Sequence, residues 1–146
     1  MSTLPTRSAP LVAGPGSADR PGVVHKTTGE FAFSSDLWID DMLWGATLRS
    51  PHPRARIVSI DTSAALRLPG VRAVLTHDDV PGRKTFGLGI PHQPVLAFDE
   101  VRCVGEAVAV VAAEKPHLAR EALQHISVEY EVLPPVTDPE FALTPE

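Results

Sequence analysis

The chain has 146 residues, about one domain's worth, with 43% hydrophobic and 21% charged residues; this composition excludes disordered and collagen-like classes, and no apolar run approaches the ~18 residues of a membrane span. Its net charge of −5 is uneven: residues 1–75 carry eight Lys/Arg against six Asp/Glu, and residues 76–146 five against twelve, so the basic stripe that general nucleic-acid binding needs is missing. A single cysteine, Cys103, excludes an internal disulfide and any multi-thiolate zinc or iron–sulfur site, and 5% aromatic content leaves aliphatic packing to hold the core.

Residues 1–22 (M-S-T-L-P-T-R-S-A-P-L-V-A-G-P-G-S-A-D-R-P-G) are rich in Pro and Gly and lack the apolar core of a secretory signal. They read as a flexible leader. With one unpaired thiol, the cytoplasm is the expected compartment. The segments L-W-G-A-T-L at 43–48 and R-A-R-I-V-S-I at 54–60 are strand-like, and S-P-H-P between them forms a bent connection, because proline cannot donate to a central ladder. Asp61 offers an N-cap to the short helical segment T-S-A-A-L-R-L, which Pro69-Gly70 ends, and V-R-A-V-L at 71–75 resumes as strand. Two strands around so short a helix predict compact α+β packing, since a parallel crossover needs a longer helix.

Residues 76–93 show no sustained period, and a long excursion of this kind is expected to be a surface loop with at most a turn at 77–79. Glycines 82, 87 and 89 there do not make a phosphate loop, for the Gly-Lys-Ser/Thr ending is absent. E-A-V-A-V-V-A-A at 106–113 reads as a strand buried on both faces, with Gly105 marking a bulge or close approach. Pro116 opens the clearest helix, whose Ala119, Ala122, Leu123 and Ile126 form one apolar stripe. In S-V-E-Y-E-V-L, Val128, Tyr130 and Val132 alternate with Glu129 and Glu131, which predicts one buried and one wet face.

Chemistry-bearing residues do not converge. The six histidines, at 25, 52, 77, 92, 117 and 125, include no H-E-x-x-H, and His117 and His125 stand about 12 Å apart along a helix. Cys103 lies in a strand-like apolar context and is expected to be a buried, inert thiol; no G-x-S-x-G is present. The carboxylate pairs Asp40-Asp41, Asp78-Asp79 and Asp99-Glu100 are explained by turns. No catalytic, cofactor-binding or metal residue is assigned.

Read in order, K-T-T-G-E-F-A-F-S-S-D, M-L-W-G-A-T-L-R-S-P-H-P-R-A-R-I, I-D-T-S-A-A-L-R-L-P-G-V-R-A-V-L-T, D-V-P-G, P-V-L-A-F-D-E-V-R-C-V-G-E-A-V-A-V-V-A-A and V-E-Y-E-V-L-P-P-V span about residues 23–143. This series resembles the N-terminal α/β hammerhead domain of the molybdenum-binding large subunit in the xanthine dehydrogenase and aldehyde oxidase family. The stretch F-G-L-G-I-P-H-Q-P-V-L looks most like the D subunits of bacterial xanthine dehydrogenases. The resemblance implies an α+β fold with small mixed sheets, one longer and one shorter helix, a domain over residues 23–143 and a tail over 144–146.

It also implies membership of a hydroxylase that oxidises hypoxanthine and xanthine toward urate, with molybdenum-molybdopterin, 2Fe-2S clusters, FAD and NAD. Those cofactors are expected in the parent enzyme, held by molybdopterin-binding, iron–sulfur and flavin partners, with this chain inactive alone. No family catalytic residue matches a position here, and Cys103 and Ala107 replace a common Tyr and Pro. The expected role is structural, with an interface at Arg49, Ser50, His52 and Arg54 and at Phe86 and Gly87. A different reading is a stand-alone interaction module, or a biotinyl- or lipoyl-like carrier modified at Lys26, Lys84 or Lys115, although no M-K-M or D-K-A context is present.

Overall fold

The computed structural model describes residues 22–143, in two units that divide after Ile39. Most of the expected leader, residues 1–21, and the expected tail, 144–146, lie outside the described residues. In the first unit, α1 (Val23–Thr28) precedes a single 3-10 turn at Ser34–Asp36. Lys26 Nζ stands 4.8 Å from the Phe31 ring centre, and the Phe31 and Phe33 rings meet edge-on at 5.0 Å. No pattern in the sequence analysis foresaw this helix.

The second unit contains, in order, β1 (Trp44–Arg49), β2 (Ala55–Asp61), α2 (Ser63–Leu66), β3 (Val71–Leu75), β4 (Thr85–Phe86), β5 (Gln93–Pro94), β6 (Glu100–Val101), β7 (Ala107–Ala113), α3 (Pro116–Leu123) and β8 (Ser127–Val132). The strands form two three-stranded sheets, ordered β1-β7-β3 and β6-β2-β8, and a two-stranded hairpin, β4-β5. All five pairings are antiparallel. The α+β architecture is therefore as expected, but the sheets are antiparallel rather than mixed, because neither helix serves as a crossover between parallel neighbours.

β7 explains the core. Ala109, Val111 and Ala113 pack with Ala65 of α2 and with Ala119, Ala122 and Ile126 of α3 and its exit. Val108, of the opposite parity, joins Ala55, Ala97 and Val101 in a second cluster. The strand is thus covered on both faces, and its side chains are small because two layers approach it closely. Val101, Val108 and Val111 are fully buried, each stabilising the fold by roughly 1.5–3 kcal/mol. Opposite Leu48 and Arg49 the register skips Val108, the bulge that Gly105 announced.

Local chemistry sets the ends of the elements. The Asp61 carboxylate accepts the Ser63 N–H at 2.9 Å at the start of α2, and Pro116 occupies the first turn of α3. Thr76 and Asp79 form a reciprocal cap around the 3-10 turn His77–Asp79, with Thr76 N–H donating to the Asp79 carboxylate at 2.8 Å. β8 keeps its expected alternation at Val128, Glu129, Tyr130 and Glu131, while Val132 is exposed.

Two expectations need correction. Cys103 is exposed: the ladder of β6 ends at Val101, and Cys103 lies in the bend that reaches Gly105 at φ 88°, so the apolar neighbours in sequence do not enclose it. The excursion over 76–93 is also not pure loop, for Thr85 pairs with Pro94 and Phe86 with Gln93.

Candidate functional site

The connection from β1 to β2 crosses from one sheet to the other, and Ser50 closes that corner. Ser50 is 2% exposed; its N–H donates to Glu106 O at 2.9 Å and its carbonyl accepts the Gly105 N–H at 2.8 Å. Its hydroxyl donates to His52 O at 3.2 Å and lies 3.1 Å from the His52 N–H. The turn is thereby satisfied from within, as a buried hydroxyl must be. His52 is half-buried against Tyr130. Burial pushes the Tyr130 phenol above the ordinary tyrosine range, while a hydrogen bond with Ser50 pulls it the other way.

The arginines divide. Arg54 Nε donates to Glu100 Oε1 at 2.7 Å and its Nη1 to Pro134 O at 3.3 Å, so it ties β2 to β6 and to the exit of β8. Arg49 is exposed and turns one Nη1 N–H onto Gly105 O at 2.7 Å. The remaining member of the basic cluster, Arg56, is ion-paired with Glu131 across β2 and β8.

Arg49 also borders an open, mainly apolar groove of about 420 Å³ whose lining includes Thr47, Leu75, Val80, Leu96 and Val110. The structure therefore joins the turn after β1 to the start of the 76–93 excursion in one surface feature, on the side of β7 that does not face α3. Phe86 and Gly87 do not line it. They belong to the tip of the β4-β5 hairpin, where Phe86 is 54%, Leu88 107% and Ile90 71% exposed. Sequence reasoning named Phe86 and Gly87 and missed Leu88 and Ile90; the alternation F-G-L-G-I, with apolar residues at every second position and no polar partner face, was the available signal.

Lys84 lies at the base of this hairpin rather than its tip, 3.4 Å from the Asp78 carboxylate. Lys115 sits in extended backbone immediately before α3. Neither is displayed on a hairpin tip as a carrier lysine would be.

Residues 28–134 match the family model described as aldehyde oxidase and xanthine dehydrogenase, a/b hammerhead domain. The chain belongs to this family. A hammerhead relative from Bacillus subtilis (strain 168), a probable xanthine dehydrogenase component, is 50% identical over 126 residues, which cover 86% of this chain and 17% of that protein. The "Nicotinate dehydrogenase large molybdopterin subunit" of Eubacterium barkeri is 44% identical over 120 residues, covering 82% of this chain and 28% of the relative. Among solved structures, quinoline 2-oxidoreductase from Pseudomonas putida 86 superposes with a TM-score of 0.73 at 42% identity, over 87% of this chain and 17% of the other. The chain thus spans only a fraction of each of these hammerhead-containing proteins.

The described residues do not fit a molybdenum or iron–sulfur group. Among them no three His, Cys, Asp or Glu side chains come together as a metal site, and the one thiol is solitary. His77 Nδ1 is buried without a hydrogen-bond partner, but its ring packs against Phe98 at 6.0 Å and its Nε2 faces Asp78 at 3.3 Å. That single nitrogen makes no donor set. Among the described residues, no helix is long and apolar enough to cross a membrane.

Proposed function

We propose that this hammerhead domain, taken as residues 23–143, is a structural and assembly element of a molybdopterin-dependent hydroxylase of the xanthine dehydrogenase type, acting in the cytoplasm on hypoxanthine and xanthine. The observation that carries the reading is the 50% identity to the Bacillus subtilis xanthine dehydrogenase relative across 86% of the chain. Molybdopterin, iron–sulfur clusters, FAD and NAD are assigned to accompanying polypeptide and subunits, since the donor sets they need are not among the side chains described here. This domain's part is to present packing surface. Arg49 with the groove beside it, and the hairpin tip at Phe86 and Gly87, are the proposed contact regions; Ser50, His52 and Arg54 shape the corner that holds Arg49 in place.

Relatives named for nicotinate and quinoline chemistry make the substrate the sharpest point to test. The assembly recovered through a tag on this chain, from its own cells, is assayed for molybdenum and iron and for oxidation of xanthine, hypoxanthine, nicotinate, quinoline and an aldehyde. A molybdenum-containing assembly that turns over xanthine fastest is expected. Turnover of another substrate with xanthine inert overturns the purine reading, and a metal-free chain without partners overturns the assembly reading.

A further inference from the structure

Leu88 is the most exposed large hydrophobic residue among those described, and Phe86 and Ile90 flank it on the same hairpin tip at 54% and 71%. The tip is held in shape without burying these side chains. Gly87 adopts φ 155°, and a Cβ there would overlap the Ile90 carbonyl oxygen. That same oxygen accepts the His92 N–H at 3.0 Å and lies 2.9 Å from His92 Nδ1. Below it, the Phe86–Gln93 and Thr85–Pro94 pairs and the Val95 N–H to Lys84 O bond at 2.9 Å close the hairpin. Ordering a loop so as to display apolar surface gains this domain nothing in its own folding; it lowers the cost of docking, because the contact geometry is already present.

Charge narrows what covers the tip. From Val80 to Phe98 the chain carries two basic residues and no acidic one, in a molecule of net charge −5. Lys84 and Arg83 stand at the base of the tip, and Arg83 has no ion pair among the described residues, whereas Lys84 faces Asp78. A matching surface is an apolar pocket with carboxylates on its rim. A second copy of this chain fits poorly: its own apolar groove carries Arg49 at the edge, and a tip-in-groove contact is head-to-tail and does not close as a pair.

We infer that Phe86, Leu88 and Ile90 form a preformed apolar plug, which inserts into an acidic-rimmed apolar pocket on the polypeptide that accompanies this domain in its hydroxylase. The inference rests on the assembly reading above and names the contact that reading leaves open. Burial of the three side chains drives the contact, and Arg83 and Lys84 orient it.

The test uses the complete assembly purified through a tag on this chain, with molybdenum content measured first. Leu88→p-benzoylphenylalanine is irradiated in that assembly and the cross-linked peptides are mapped by mass spectrometry. The expected product joins Leu88 to a peptide outside this domain containing apolar residues and Asp or Glu, with its yield reduced at least fivefold by Arg83→Glu. In parallel, Leu88→Asp is expected to lower recovered molybdenum tenfold or more with the domain still folded by circular dichroism, while Val58→Asp, at an exposed strand position, leaves recovery unchanged. A wild-type preparation without molybdenum overturns the assembly reading and this inference with it. A molybdenum-containing assembly in which the probe reacts only with solvent, with this domain or with a second copy of it overturns the plug alone, and so does a partner peptide without acidic residues.

Discussion

The His52 ring meets the Tyr130 ring edge to face, with centroids 5.0 Å apart and planes inclined at 69°. This contact pins the corner between the two sheets to β8, and it places the chain's one tyrosine in a site that disfavours its phenolate. Because the folded pKa is raised, the neutral phenol contributes stability in full below about pH 10, the unfolded value, and loses it as pH rises through the folded value. Absorbance titration of the native protein is expected to show phenolate forming at higher pH than in denaturant. Between about pH 9 and about pH 11 the native protein should lose more stability than Tyr130→Phe; equal losses would remove the effect.

Gly70→Ala tests the approach of α3 to the turn before β3. At φ 82° the Cβ would stand 2.6 Å from Leu118 Cδ1, and the Gly70 carbonyl accepts the Glu114 N–H at 2.9 Å, so the backbone cannot withdraw freely. A loss of about 1–3 kcal/mol in urea unfolding is expected. Gly82→Ala, at φ 72° with nothing within 4 Å, carries only the conformational cost of about 1 kcal/mol. Equal midpoints for the two variants would show that the Leu118 contact yields.

The Arg54–Glu100 pair, with side chains 37% and 29% exposed, is the most enclosed Arg–Glu pair described. A double-mutant cycle with Arg54→Ala and Glu100→Ala should give a coupling of about 0.5–1 kcal/mol, against less than about 0.5 kcal/mol for Arg72 and Glu114. The latter side chains are 62% and 45% exposed. Reversal of this order would mean that enclosure is not what sets the coupling.

Ala109 is fully buried between the sheet and α3. Ala109→Leu should destabilise the domain by about 1–3 kcal/mol, since a well-packed layer admits extra carbons only by shifting the helix. Thermal unfolding measures this, and an unchanged midpoint would reveal spare volume under α3.

Arg49→Glu tests the groove edge. Its guanidinium is exposed and holds one carbonyl, so the change in stability should stay within about 0.5 kcal/mol. Co-purification of molybdenum with the tagged chain should nonetheless fall, and unchanged recovery would exclude Arg49 from the contact.

Much of the second unit was legible in the residues because its signals are local. The small aliphatic run of β7, the apolar stripe after Pro116, the carboxylate of Asp61 and the Thr76–Asp79 pair act within a few residues of themselves, so periodicity and capping chemistry reveal them. The family, too, was readable from motif order.

What the tertiary structure alone decided is non-local. That β7 lies between β1 and β3, and that β1 and β2 part into different sheets, depends on which of several compatible strand edges pair; backbone hydrogen bonding leaves no mark on a single strand's composition. Ser50, a turn residue by sequence, is buried because two sheets meet over it. Cys103, apolar by its neighbours, is exposed because its ladder ends at Val101. The sequence by itself determined the elements and the family. Only packing determined which residues reach the surface, and so which of them, Arg49 and Leu88 foremost, are free to meet a partner.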